Sequence, residues 1–124
     1  MKINPVNNPI VFGYKSVLKT EWLKGNLPSV KKGIYGGILT PETVSLEHIN
    51  CRCYKGKTEL SNLALATKRL NELRGNKPLR FFLEGDKFIE YIKQFEGVSL
   101  PNFNGREYVQ NLIKTIISVL ESGK

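Results

Sequence analysis

The feature that most constrains the fold of this chain is an apolar stripe near its C-terminus. Over residues 109–120, hydrophobic side chains recur at the spacing of one face of an α-helix. Asn104 and Glu107, three residues apart, form a capping-box-like start for that helix. The pattern predicts an amphipathic helix over about residues 105–121 that packs its apolar face against a core. The stripe consists of Val109, Leu112, Ile113, Ile116, Ile117 and Leu120.

Shorter patterns predict the elements that precede this helix. A short helix is predicted over residues 15–24. Residues 43–46 and 60–66 are β-prone and predict two strands joined by a long polar loop. Residues 67–74 then predict a helix that ends at Gly75.

One more helix is predicted over about residues 86–96, with Asp86 as its cap. Its apolar face holds Phe88, Ile89, Ile92 and Phe95. The chain of 124 residues has the length of one domain, so we expect a single α+β domain over residues 1–124. A basic N-terminal segment should pack beside the hairpin, and two amphipathic helices should close the core.

The charge balance narrows the classes of partner. The chain has 19 Lys and Arg against 11 Asp and Glu, a net charge of +8. Such a surplus favours a polyanion, either nucleic acid or an acidic membrane surface, although it also serves solubility. No apolar run is long enough to span a membrane, and the last helix has too few cations to anchor on anionic lipid.

Two features predict the compartment. Pro5 and Pro9 interrupt the N-terminus, which lacks the apolar run of a signal peptide. Cys51 and Cys53 lie one residue apart, where a disulfide would close a strained ring, and nothing completes a zinc tetrad. We therefore predict free thiols and a cytoplasmic protein.

The chemically informative residues lie in the middle of the chain. The single histidine, His48, follows Glu47 at the end of the first predicted strand. Asn62 comes fourteen residues after the histidine, in Asn-Leu-x-Leu, and Asn71 comes nine residues later, in Asn-x-x-Arg-Gly-Asn. Over about residues 43–78 this arrangement resembles the HNH endonuclease family, in its variant with Asn in the third position.

The resemblance implies a ββα-metal finger and a role for each residue. His48 would be the general base, and Glu47 a metal ligand where the family usually has Asp. Asn62 would fix the hairpin loop and orient the histidine, and Asn71 would supply a second metal ligand from the helix. The loop departs from the family's Pro-x-Ser-x-Gly-Gly, because residues 51–56 read Cys-Arg-Cys-Tyr-Lys-Gly.

Elementary chemistry agrees with these roles. Hydrolysis of a phosphodiester needs an activated water, and a neutral imidazole can accept its proton at physiological pH. It also needs a cation at the phosphate and the leaving oxygen. A carboxylate and an amide oxygen suit Mg²⁺ or Mn²⁺, with water filling the other positions.

Cations flank this motif on both sides. Five of them are candidate phosphate contacts, with the pair after the helix favoured most. They are Arg52, Lys55, Lys57, Arg74 and Lys77. Four aromatic residues could stack on bases, although a core position is expected for the tryptophan, which shares a helix face with Leu18. They are Tyr14, Trp22, Tyr35 and Tyr54.

The sequence therefore predicts a metal-dependent endonuclease that cuts DNA, either nicking it or cutting both strands. The alternative is a catalytically silent module of the same fold that binds DNA or a protein. By resemblance, standalone proteins of this size are typical of phages, which implies the cytoplasm of a bacterial or phage-infected cell. A symmetric homodimer would place one site on each strand.

Overall fold

The computed structural model describes residues 17–54 and 56–124, without the side chain of Cys53. Within these residues it is an α+β structure with helices and two small antiparallel hairpins. The α+β class is as expected, whereas the second hairpin is not predicted by the sequence analysis. The helices are α1 (residues 17–23), α2 (Lys68–Arg74), α3 (Gly85–Lys93) and α4 (Gly105–Ser122). The strands are β1 (Val44–His48), β2 (Leu63–Thr67), β3 (Ser99–Leu100) and β4 (Phe103–Asn104).

The central hairpin pairs β1 with β2 in antiparallel register. Val44 lies opposite Thr67, and His48 lies opposite Leu63. Every residue of β2 is buried. A two-stranded hairpin is marginal in water by itself, so its stability depends on what packs against it.

Two tyrosine hydroxyls and one backbone amide take the place of a third strand along the outer edge of β2. The amide of Leu65 donates to the Tyr91 hydroxyl at 2.9 Å, and the Tyr108 hydroxyl donates to the carbonyl of Leu63 at 2.7 Å. The Ile34 amide donates to the Leu65 carbonyl at 2.9 Å. Because buried backbone groups left unpaired are costly, α3, α4 and the N-terminal segment are all needed to complete this hairpin.

Helix α2 follows β2 directly and packs back on the hairpin. The Thr67 side chain accepts a hydrogen bond from the Leu70 amide, so Thr67 caps the helix instead of beginning it. Gly75 ends the helix with a φ of +53°. Asn71 and Arg74 are three residues apart, which places both on the face that meets β1.

Helix α4 forms as predicted, but its buried face is displaced. The Asn104 side chain accepts from the Glu107 amide at 2.8 Å, which confirms the predicted start. Ile117 and Leu120 are 50% and 40% exposed, so the predicted stripe is wrong at its C-terminal end. The buried face is rotated about the helix axis relative to the predicted stripe, because it includes Tyr108, whose hydroxyl bonds to β2. The buried positions are Gly105, Tyr108, Leu112, Ile116 and Val119.

In α3 the predicted cap is wrong. The cap position is Glu84, whose side chain makes no capping hydrogen bond, and Asp86 lies in the first turn. Tyr91 is the buried residue of this helix, whereas Ile89 is half exposed. The tyrosine takes the core position because its hydroxyl completes the edge of β2.

The described part of the basic N-terminal segment, residues 17–40, packs beside the hairpin, as expected. In α1 Leu18 is fully buried, and the Trp22 indole donates to the carbonyl of Val30 at 2.6 Å. Within the described part of the chain, no helix is both long and apolar enough to cross a membrane.

A tight turn over residues 33–37 contacts β2. Gly36 and Gly37 both have a positive φ, which other residues rarely adopt. A Cβ on Gly33 would lie 2.9 Å from the Ala66 Cα, so only glycine permits this close approach. The turn places Tyr35 in the core.

Candidate active site

The carboxylate of Glu47 lies in a buried polar cluster between β1 and α2. The Tyr35 hydroxyl donates to Oε2 of Glu47 at 2.5 Å, and the Arg74 guanidinium lies 3.3 Å from the same oxygen. Glu47 is 4% exposed and Arg74 is 1% exposed. Burial raises the pKa of the Glu47 carboxyl, and the Tyr35 hydrogen bond and the Arg74 charge oppose that shift. Burial and the Glu47 charge raise the pKa of Tyr35, so its hydroxyl remains a donor.

Arg74 also binds the backbone at the end of β1. It donates to the carbonyls of His48 at 3.1 Å and Ile49 at 3.0 Å, and its Nε donates to the Lys77 carbonyl. The prediction that Arg74 contacts phosphate is therefore wrong. A guanidinium that is buried and pairs with Glu47 does not reach a ligand in solvent.

Asn62 binds the loop that follows His48. Its Oδ1 accepts from the Asn50 amide at 2.7 Å, and its Nδ2 donates to the carbonyls of Asn50 and Lys57. Its own carbonyl accepts from the Ile49 amide at 2.9 Å. These contacts are those of a residue that fixes the hairpin loop, the role given to it by the resemblance.

His48 lies half-buried at the C-terminal end of β1. Its Nε2 is 3.0 Å from the Thr58 hydroxyl, across the loop. Burial, and to a smaller extent the charge of Arg52, lower the pKa of His48 below 6.5. The imidazole is therefore neutral at physiological pH and can accept a proton.

Asn71 lies beside β1. Its Nδ2 donates to the Ser45 hydroxyl and to the Leu46 carbonyl, both at 2.9 Å. The amide nitrogen is thus committed to the strand. Among the described residues no hydrogen bond to Oδ1 is found, so this oxygen is the group of Asn71 that suits a cation.

A carboxylate oxygen and an amide oxygen are donors of the kind that hard divalent ions prefer. Both contacts from Tyr35 and Arg74 go to Oε2 of Glu47, and neither goes to Oε1. Carboxylates that bind metals are commonly hydrogen-bonded by a second layer of residues in this way. Oε1 of Glu47 and Oδ1 of Asn71 are the oxygens that would hold Mg²⁺ or Mn²⁺.

The predicted residues form two groups. Glu47 and Asn71 lie on the side of β1 that faces α2, whereas His48 contacts the loop. Neighbouring residues of a strand point to opposite faces, which accounts for the separation of Glu47 from His48. No hydrogen bond joins the imidazole to Glu47 or Asn71 in the described structure.

The remaining predicted phosphate contacts are exposed. Arg52, Lys57 and Lys77 lie on the surface, and the Lys77 ammonium donates to the Leu73 carbonyl. Lys55 lies outside the described residues. These three cations lie in the loop after His48 and just beyond α2.

Only one predicted stacking residue is exposed in the described structure. Tyr54 is 42% exposed. Tyr35 is buried, so it cannot stack on a base, and Trp22 packs against the core as expected. Tyr14 lies outside the described residues.

The loop after His48 also corrects the prediction of free thiols. Cys51 is disulfide-bonded. Its carbonyl accepts from the amides of Tyr54 and Gly56, which makes a tight turn directly after it. The thiol argument for a reducing compartment therefore does not hold.

Sequence reasoning missed Tyr35 and Thr58 as parts of this site. The glycines on both sides of Tyr35 were a usable signal, because they indicate a close turn that could bury the aromatic ring. Nothing local indicates that its partner is Glu47, twelve residues away. Thr58 stands in a polar loop and carries no signal.

Comparison with known proteins gives no family assignment. No family model matches the chain, and no curated protein or solved structure matches it. The contacts of Glu47, His48, Asn62 and Asn71 are therefore the basis for a functional proposal.

Proposed function

We propose that this chain is a metal-dependent endonuclease that hydrolyses DNA phosphodiester bonds with His48 as general base. One observation carries the proposal: residues 47–50 are held by side chains from three other parts of the chain. Tyr35 and Arg74 bind Glu47, Arg74 binds the carbonyls of residues 48 and 49, and Asn62 binds both backbone groups of residue 50.

Such fixation is what a reacting group requires. Displacement of a catalytic side chain by about 1 Å can cost on the order of a hundredfold in rate. The backbone of His48 is fixed by Arg74, and its ring is fixed through Thr58. Catalytic groups of this kind are supported by surrounding residues that hold their geometry.

The imidazole has the protonation state that a base needs. In the tautomer in which Nε2 donates to the Thr58 hydroxyl, Nδ1 carries the lone pair. Nδ1 takes a proton from water, the water oxygen bonds to phosphorus, and the bond from phosphorus to the 3′ oxygen breaks. That oxygen leaves with the electron pair and takes a proton from solvent.

Glu47 and Asn71 would hold the divalent ion. When bound, the ion supplies charge neutralisation at the phosphate and at the leaving oxygen. Arg52, Lys57 and Lys77 would bind neighbouring phosphates, consistent with the net charge of +8. A chain that cuts DNA acts where DNA is found, so the proposal includes the cytoplasm of a bacterial or phage-infected cell.

A plasmid assay tests the proposal. Wild-type protein with Mg²⁺ should convert supercoiled plasmid to nicked or linear product, and chelation should stop the reaction. The His48→Ala variant should lose at least about a hundredfold of the rate, because a positioned base contributes about that much. Unchanged circular dichroism would show that it is folded. Equal cleavage by the variant, or none by the wild type, would reject the proposal.

A second candidate is a silent module that binds DNA or a protein without cutting. The burial of Glu47 against Arg74 favours it, because a carboxylate already paired with a cation attracts an ion less. Such a module would bind DNA with a strong dependence on salt concentration and yield no magnesium-dependent products.

A further inference from the structure

We propose that Tyr35 is a positioning residue that keeps the Glu47 carboxylate available to a divalent ion. This inference rests on the proposed function, because it concerns the same metal site. Tyr35 lies outside the hairpin and α2, in the basic N-terminal segment, where the sequence predicts at most a base-stacking role for it. It would thus add an N-terminal residue to a site otherwise built from residues 44–74.

The position of the Tyr35 hydroxyl is fixed by the core. The turn with Gly36 and Gly37 carries Tyr35 inward, and its ring packs edge-on against Phe82 with centroids 4.8 Å apart and an interplanar angle of 87°. The hydroxyl then reaches Oε2 of Glu47 at 2.5 Å. The ring cannot shift far without displacing other core side chains.

The hydroxyl controls how Glu47 meets Arg74. Arginine and carboxylate favour a bidentate pair in which both carboxylate oxygens are used. Here Arg74 and Tyr35 share Oε2, while Arg74 also binds the carbonyls of His48 and Ile49. Tyr35 therefore opposes rotation of the carboxylate toward the guanidinium, and this keeps Oε1 out of the ion pair with Arg74.

Removal of the hydroxyl should weaken metal binding. In Tyr35→Phe the carboxylate would turn toward Arg74, and both its oxygens would pair with the guanidinium. Loss of a residue that orients a metal ligand typically costs about 10- to 100-fold in affinity.

The test is titration of the full-length chain with Mn²⁺, followed by electron paramagnetic resonance of the free ion. Four proteins are compared: the wild type, Tyr35→Phe, Asn71→Ala and Tyr91→Phe. The last is the matched control, because it also removes a buried tyrosine hydroxyl that bonds to the protein, in this case to the Leu65 amide of β2 and not to Glu47. Circular dichroism shows which variants are folded.

We expect one manganese site in the wild type, loss of that site in Asn71→Ala, and about 10- to 100-fold weaker binding in Tyr35→Phe. Tyr91→Phe should lose stability but keep the wild-type affinity. If Tyr35→Phe binds manganese as tightly as the wild type while Asn71→Ala loses the site, this inference is overturned and the proposed function still stands. A wild type that binds no manganese overturns both.

A second variant covers the case in which Tyr35→Phe does not fold. Phe82→Leu keeps the hydroxyl but removes the ring that holds Tyr35 edge-on. It should also weaken manganese binding, since the hydroxyl is then less well placed. Wild-type affinity in this variant would overturn the inference.

Discussion

At the scale of single residues, the environment of His48 determines when it can act as a base. Burial and the nearby charge of Arg52 both disfavour the imidazolium form, so both lower the pKa. A base is active when neutral, so the rate should fall on the acidic side of a pH profile, at the pKa of the imidazole. Because this pKa is lowered, the midpoint of the fall should lie below pH 6.5.

Replacement of Arg52 by glutamine should move that fall toward higher pH. The substitution removes one of the two causes that lower the pKa of His48, while burial remains. The measurement is the pH profile of kcat at saturating DNA and constant Mg²⁺. Arg69→Gln, which removes an exposed arginine of α2, should leave the profile unchanged. A shift to lower pH in Arg52→Gln, or equal shifts in both variants, would contradict the assignment of His48 as base.

At the scale of elements, α2 depends on β1 for its position. A helix of seven residues is not stable alone in water. Asn71 joins it to Ser45 and Leu46 of the strand. Arg74 joins it to the Glu47 carboxylate and to the carbonyls of the next two residues. The same contacts that stabilise the helix therefore fix the proposed metal ligands.

Loss of the Arg74 guanidinium should be costly to folding. In Arg74→Met the Glu47 carboxylate is left buried without its cation, and the free energy of unfolding should fall by about 3–5 kcal/mol. Adding Glu47→Gln should recover part of that loss. Both are measured by urea denaturation.

The control for Arg74→Met is Arg69→Met, at an exposed site of the same helix, where a change within about 0.5 kcal/mol is expected. If the two single variants were equally stable, Arg74 would not be the structural residue described here.

Local pattern predicted the elements better than it predicted their partners. The cap at Asn104, the end of α2 at Gly75 and the two strands follow from neighbouring residues, and the structure confirms them. The sequence Arg-Gly-Asn is typical of an ordinary, exposed helix end, and it therefore predicts that Arg74 is available to contact phosphate. Its burial depends on Glu47, which is distant in sequence. Local pattern carries no information about such a pair.

At the scale of the whole molecule, the hairpin with α2 is not self-sufficient. Tyr35 comes from the N-terminal segment, and Tyr91 and Tyr108 come from α3 and α4. Tyr35 binds Glu47, and the other two tyrosines bind the edge of β2. The motif covers little more than a quarter of the chain, and residues from the rest of the described structure hold its strands and side chains in position. The sequence motif therefore predicts a chemistry but does not predict the distant residues that hold the motif in place.

The most direct test of the account is a crystal of the full-length chain soaked in Mn²⁺ and measured for anomalous scattering. The account predicts one strong peak within about 2.0–2.6 Å of Oε1 of Glu47 and Oδ1 of Asn71, with Tyr35 and Arg74 still on Oε2. The account would be contradicted if a crystal saturated with manganese showed no peak at this position and Glu47 were bound only by Tyr35 and Arg74.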